Sequence, residues 1–302
     1  MHNIENGISC APNMYIKNNQ ERIAGRVSIV VPTKNSERTI QTCLESLAAQ
    51  TYDDIEILVI DNYSVDQTAK IAKQFTRHVY QQGPERCTQR NAGFAYATGE
   101  YLMYIDSDME LTPEVVTQCV QVADEESECA ITIHETSVGD GFWSQCKCLE
   151  RSAYVGDTTI EGVRFFPATI IDTVGGFNES LVSAEDWDLV ERIKKKGYPI
   201  RTIKARILHH EGRIKIFNLW YKKMYYGRHL RSYVTKTEVG TTDTHRSFLY
   251  LVTRVYYFRP ALWRIWRSYL RTPHLMLGMW VMLTGELFFT GVGFLQGYFV
   301  KQ

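Results

Sequence analysis

Three short runs leave this chain little choice of architecture. Residues 27–31 (VSIVV), 56–60 (EILVI) and 101–105 (YLMYI) are apolar apart from Ser28 and Glu56 and rich in β-branched or aromatic side chains. They lack the alternation of a strand with one wet face, so each reads as a strand buried on both faces of a parallel sheet. Parallel neighbours need crossovers, and the intervening text is helical: Asn35 or Ser36 is placed to cap a helix to about residue 49, with Ile40, Cys43, Leu44 and Leu47 on one side. Ser64 to Gln67 reads as a capping box opening a helix to about Phe75. A short strand is expected around Val79 and Tyr80, a helix over 85–97, and another helix after Thr112-Pro113. Residues 130–177 are less regular, and a helix over 183–196 and a strand over 203–209 follow. The fold class is therefore α/β, a Rossmann-like, mostly parallel sheet flanked by helices.

Ligands of such sheets collect beyond the carboxyl ends of the strands. Pro32-Thr33, Asp61 and Asp106-Ser107-Asp108 all fall there. Paired carboxylates at that edge suit a hard cation such as Mg²⁺ or Mn²⁺ beside a departing diphosphate, although acids are also common in turns after strands. Asp61 can accept a base N–H or serve a turn. Arg90, followed by Asn91 and Gly93, offers a donor fork to a phosphate or to a neighbouring acid, and Gly93 permits close helix packing. Glu185 and Asp186 open a helix behind Ser183, where acids also answer the helix dipole.

The order of these features carries more than any one of them. VVPTKNSERTIQTCLESLAAQTYDDIEILVIDNYSVDQT, RNAGFAYATGEYLMYIDSDMEL and GGFNESLVSAEDWDLVERIKKKGY together resemble the family 2 glycosyltransferases of the GT-A fold over about residues 26–212. The resemblance implies a nucleotide-sugar donor (a UDP- or GDP-sugar), a divalent metal and an inverting displacement. It puts Pro32, Thr33 and Asn35 beside the nucleoside, Asp61 at the base, Arg90 and Asn91 in the donor site, and Asp106 near the ribose or the metal. Asp108 becomes the direct metal ligand. Asp186, with Glu185 beside it, becomes the general base. Gly175-Gly176-Phe177 would run along the sugar and acceptor, His210 in preference to His209 would reach the metal or diphosphate, and Arg164 would touch donor phosphates or acceptor. The stretch Asp61-Asn62-Tyr63-Ser64 departs from the family's DDGS.

Charge divides the chain. Residues 1–212 carry 20 Lys+Arg against 31 Asp+Glu, whereas 213–302 carry 14 against 3. Between Arg213 and Lys236 there are seven basic residues and no acid, with Phe217, Trp220, Tyr221, Met224 and Tyr225 at helical spacing. This describes an interfacial helix facing anionic lipid, a theme that residues 254–271 repeat with Trp263 and Trp266. Residues 275–300 are apolar enough to span or to fold into one leaflet as a helical hairpin, with Glu286 near the middle and several glycines favouring the hairpin. The apolar stretches favour lipid over nucleic acid. Seven cysteines without a CxxC, and an N-terminus without a secretory pattern, imply a reducing compartment.

Three parts result: a polar lead-in over 1–25, a nucleotide-sugar domain over 26–212, and a membrane-associated region over 213–302. The expected partner is a lipid-linked or membrane-held glycan acceptor at the cytoplasmic face. Nucleotidyltransfer is disfavoured because no Gly-rich, Lys/Arg-bearing loop follows the first strand. A lipid- or nucleic-acid-binding scaffold would leave the carboxylates structural. A processive synthase is disfavoured because QxxRW and a set of spanning helices are missing.

Overall fold

The computed structural model describes residues 21–126, 128–155, 161–236 and 260–297. Most of the lead-in, and the first part of the 254–271 segment, lie outside the described residues. Eight strands form one sheet in the order β3-β2-β1-β4-β7-β6-β8-β5. The apolar runs become its parallel half: β1 (Ile23–Thr33), β2 (Ile55–Asp61), β3 (Val79–Gln81) and β4 (Gly99–Tyr104). In register, Thr33 faces Asp61 and Val30 faces Tyr104, so their carboxyl ends share one edge.

Helices α1 (Ile40–Ala48), α2 (Thr68–Ala72) and α4 (Val115–Glu125) cover one face, where Val27, Ile29 and Val31 point. Helices α3 (Arg86–Tyr96), α6 (Ala168–Val174) and α7 (Glu185–Lys195) cover the other, where Val30 points. Successive side chains of β1 thus enter opposite cores, which is why the run has no polar alternation. Gly93 lies against Val30: a Cβ there would come within 2.3 Å of the valine's Cγ1.

The second half of the sheet departs from the expected regularity. The stretch read as irregular contains β6 (Ala130–Gly139), α5 (Phe142–Ser152), β7 (Val163–Pro167) and α6. β7 runs antiparallel to both β4 and β6, and β5 (Met109–Leu111) runs antiparallel to β8 (Ile200–Gly212), so the sheet is mixed. β6 and β8 pair in parallel. Polar residues with functional neighbours sit on these strands and hide the pattern.

Three helix starts also differ. α1 begins at Ile40, with the Ser36 carbonyl accepting from Thr39 and Ile40, while Asn35 sits at φ 49°. α2 spans only Thr68–Ala72, because the Ser64 hydroxyl turns to Asp61 and Asp66 receives the Thr68 N–H instead. α7 is preceded by Ala184 at φ 64°, and the Ser183 hydroxyl has no partner among the described residues.

The C-terminal helices are α8 (Ile216–Lys236), α9 (Pro260–Arg264), α10 (Trp266–Arg271) and α11 (Pro273–Gln296). They share a core with α5, in which Cys146 and Tyr154 meet Leu262, Tyr269, Met279 and Met282. The hairpin expected over 275–300 does not form: α11 is one helix of 24 residues, about 36 Å long. Its glycines serve packing, since a Cβ at Gly293 would collide with the Met224 carbonyl of α8. Among the described residues, α11 is the one helix long and apolar enough to cross a bilayer. Glu286 faces inward, 1 % exposed, 3.2 Å from Lys147 Nζ and 3.1 Å from Lys223 Nζ, which removes the cost expected of a bare carboxylate in that helix.

Candidate active site

A cleft of about 870 Å³ opens at the carboxyl edge of the parallel strands. Pro32, Thr33, Asp106 and Asp108 line one side, β6 to β8 supply the floor, and α8 closes the far wall through Leu219, Lys222, Lys223 and Tyr226. A second cavity of about 540 Å³, reaching Asn35, shares Ser107, Asp108 and His210 with it.

The Asp-Ser-Asp turn separates its two acids. The Met109 N–H donates to the Asp106 carbonyl at 3.0 Å, closing a four-residue turn. Asp106 points toward α3, where its Oδ1 accepts from Arg90 Nη2 at 3.0 Å and its Oδ2 lies 3.7 Å from Arg164 Nη2. Burial pushes its carboxyl up, but Arg90 and Arg164 outweigh this and hold it well below the usual range. Arg90 thus holds one oxygen and Arg164 lies near the other, so Asp106, expected near the ribose or the metal, faces two guanidinium groups while still lining the cleft.

Asp108 points the other way, toward β8. Its side chain is 45 % exposed, and its Oδ2 lies 3.4 Å from His209 Nε2. The pairing of Met109 with His209 in the β5–β8 ladder brings them together. His209 Nδ1 is 3.5 Å from Glu135 Oε2. Burial disfavours the charged imidazole, yet Asp108 and Glu135 raise its pKa to about 9. His210, the residue favoured from sequence, turns its Nε2 to Glu110 at 2.8 Å, because neighbours on a strand face opposite sides.

Asp186 is fixed with some care. Its Oδ1 accepts from Arg90 Nη1 at 3.0 Å and from the Tyr104 hydroxyl at 2.9 Å, while its side chain remains 35 % exposed on the cleft. Arg90 has no exposed surface and lies over the rings of Tyr104 (4.3 Å) and Phe177 (4.9 Å). Glu185 turns inward, 3.0 Å from Arg86 Nη2 and 3.7 Å from Arg90 Nη1; burial and then Asp186 raise its pKa. It does not line the cleft.

Other donor-site expectations land elsewhere. Arg90 satisfies acids rather than a phosphate. Asn91 is buried, donating to the Phe177 carbonyl (2.9 Å) and accepting from its N–H (2.8 Å), so it pins the Gly175-Gly176-Phe177 loop. Asp61 is fully buried, with its oxygens accepting from the Ser64 N–H (2.9 Å) and hydroxyl (2.5 Å). Asn35 ties the same loop, its N–H donating to Ser64 Oγ and its Oδ1 accepting from Val65. Pro32 and Thr33 do line the cleft. Arg164 lines it too, but its Nε and Nη2 are bound to Glu135.

Tyr104, Glu135 and the Lys147–Glu286–Lys223 bridge were not singled out from sequence. Tyr104 looked like one more apolar strand residue, and Glu135 lay in the stretch without a readable period.

Asp108 and His209 offer one carboxylate and, once an ion displaces the ring proton that Asp108 and Glu135 favour, one imidazole. Among the described residues no group of three such side chains could hold an ion unaided. That donor set fits Mn²⁺ or Mg²⁺ whose remaining positions go to substrate phosphates, the usual arrangement for these ions.

This sheet and site define a GT-A-type glycosyltransferase. Residues 28–175 match the family model described as "Glycosyl transferase family 2", and this stretch is a domain of that family. It is 26 % identical over 205 residues to a chondroitin synthase of Escherichia coli, covering 62 % of this chain and 29 % of that protein. Two solved structures share the fold: the mannosyltransferase PcManGT of Pyrobaculum calidifontis in complex with GDP-Man and Mn²⁺ (TM-score 0.59, 17 % identity, 94 % of this chain and 89 % of that one), and residues 1–349 of S. aureus TarS in complex with UDP-GlcNAc (TM-score 0.52, 18 % identity, 90 % and 89 %). The chain spans between 13 % and 38 % of the length of the curated relatives it matches.

Proposed function

We propose that this chain transfers a sugar, with inversion, from a UDP- or GDP-sugar to a hydroxyl or phosphate of a membrane-held acceptor. The observation that carries the reading is Asp186, anchored through one oxygen by Arg90 and Tyr104 in the cleft that holds Asp108 and His209. The acceptor's O–H, on a hydroxyl or on a phosphate, loses its proton to Asp186 as its oxygen bonds to the anomeric carbon. The bond from that carbon to the diphosphate breaks on the opposite face. A single in-line displacement inverts the centre. A divalent ion held by Asp108 and His209 would offset the charge growing on the departing diphosphate. Arg90, bound at one oxygen, orients the carboxylate and leaves the other toward the cleft.

In this reading residues 26–212 perform the transfer and 213–302 hold the enzyme at the cytoplasmic face of an anionic membrane. Support comes from exposed Phe217, Tyr221 and Tyr225 on α8, Trp263, Trp266 and Leu270 on α9 and α10, and Leu277, Val281, Phe288 and Leu295 on α11. Arg264, Arg267 and Arg271 lie among them.

The test is Asp186→Asn, which preserves shape and removes basicity. The expected loss in kcat is roughly 10²- to 10⁴-fold, with nucleotide binding unchanged and an inverted anomer in the wild-type product. Full activity of the variant, or a retained anomer, overturns the mechanism.

A further inference from the structure

α8 has three faces that do different work. Trp220, Met224 and Gly227 meet α11: Trp220 stacks on Phe289 at 5.6 Å, while Met224 and Gly227 lie against the backbone of Gly293 and Thr290. Leu219, Lys222, Lys223 and Tyr226 line the cleft. Phe217, Tyr221 and Tyr225, four residues apart and 44–65 % exposed, form an outer row that borders the cleft side of the helix.

The cations of the cleft are not equivalent. Lys147 and Lys223 are neutralised by Glu150 and Glu286, Arg151 and Arg164 lie against Glu135, and Arg86 lies against Glu185. Arg213, Lys215 and Lys222 also line it, on the wall formed by α8 and its lead-in, and have no acidic partner among the described residues. Three cations without a carboxylate partner in one concave wall, Lys222 resting over the Tyr226 ring, favour an anion there. Next to them the outer aromatic row offers apolar surface.

We infer that Arg213, Lys215 and Lys222 bind the phosphate of an amphiphilic acceptor, a lipid phosphate whose hydrocarbon chain lies along Phe217, Tyr221 and Tyr225. The inference rests on the proposed transfer to a membrane-held acceptor and specifies that acceptor's chemistry. Charge and apolar surface on adjoining faces of one helix select a molecule carrying both. Neither a free glycan nor inorganic phosphate uses both. The wall lies beyond residues 28–175, the stretch matched by the family model.

The test uses the full chain and farnesyl phosphate, farnesol and inorganic phosphate as probes, with Mn²⁺-dependent binding of UDP and GDP followed in parallel. Farnesyl phosphate should bind at least about tenfold more tightly than either other probe. Arg213→Gln/Lys215→Gln/Lys222→Gln should lose at least about tenfold of that affinity while nucleotide binding and Tm stay unchanged. Lys222→Arg should retain it and Lys222→Gln weaken it, which separates binding from folding. Equal binding of farnesol, or an unaffected triple variant, overturns the inference. Parallel loss of nucleotide binding also overturns it, by assigning these cations to the donor. If the wild-type chain binds no nucleotide yet shows the farnesyl phosphate pattern, the subsite stands and the transfer reading falls.

Discussion

Arg90 Nη1 lies 3.0 Å from Asp186 Oδ1, and the guanidinium that makes this bond has no contact with solvent. Its Nη2 holds Asp106 at the same distance. One buried cation thus couples the proposed base on α7 to the turn after β4, and sets the distance between the reacting edge of the sheet and the base.

Arg90→Met should leave Asp186 with only the Tyr104 hydroxyl and Asp106 with only the more distant Arg164. Loss of one partner of a buried ionic cluster costs about 3–5 kcal/mol. Urea denaturation should report a loss of that size. Arg90→Lys should be nearly as damaging, since one ammonium lacks the fork that reaches both acids at once. By contrast, Tyr104→Phe removes a single bond to Asp186 and should cost about 0.5–1.5 kcal/mol, with a fall in kcat and little change in KM for the donor.

Chelation should abolish transfer, and Mn²⁺ or Mg²⁺ should restore it. Asp108→Asn and His209→Ala should each weaken metal-dependent nucleotide binding, whereas His210→Ala should leave it close to wild type. Calorimetric titration of nucleoside diphosphate with and without Mn²⁺ distinguishes them. A strong effect at His210 alone would contradict the geometry.

Glu135 is held well below the usual carboxylate range: burial opposes the shift, and Arg164 overrides it. A depressed folded pKa means stability that is present above the ordinary value of 4.5 and lost as pH falls below it. Glu135→Gln should therefore flatten the acid limb of the stability curve by up to about 1.4 kcal/mol per pH unit below pH 4.5. At neutral pH the same variant leaves Arg164, 7 % exposed, with only the more distant Asp106 as an acidic partner, and should lower Tm.

Trp263→Ser/Trp266→Ser/Leu270→Ser should reduce sedimentation with phosphatidylserine-containing vesicles. Each large apolar side chain that leaves water contributes about 1.5–3 kcal/mol, so the triple variant should lose well over tenfold in partitioning. Unchanged sedimentation would remove these helices from the membrane contact. Deletion of 213–302 is a poor alternative, because it strips the core that α5 shares with α9, α10 and α11.

Glu286→Ala should destabilise the chain by removing the buried carboxylate that bridges Lys147 to Lys223, with Lys147 left to Glu150. Restoration by Glu286→Asp would identify the pairing, not helix composition, as the cause.

The amino-acid sequence by itself determined the doubly covered strands, their carboxyl edge and the acids that end there. Local rules suffice for that, because a strand buried on both faces must be apolar throughout and a ligand-bearing turn must be polar. It also determined the opposite charge of the two parts. Only the tertiary structure decided which acid meets which cation. Asp106 and Asp108 are two residues apart, yet a closed turn sends one to Arg90 and the other to His209. Adjacent histidines on β8 part in the same way, so the choice between His209 and His210 depends on the register with β5. Asp61 and Asn91, read as donor contacts, became ties for loops, since burial and hydrogen-bond partners are properties of the packed chain. Glu286 shows the point most plainly: an isolated carboxylate in an apolar helix turned out to pair with lysines 63 and 139 residues away, a proximity that no local pattern encodes.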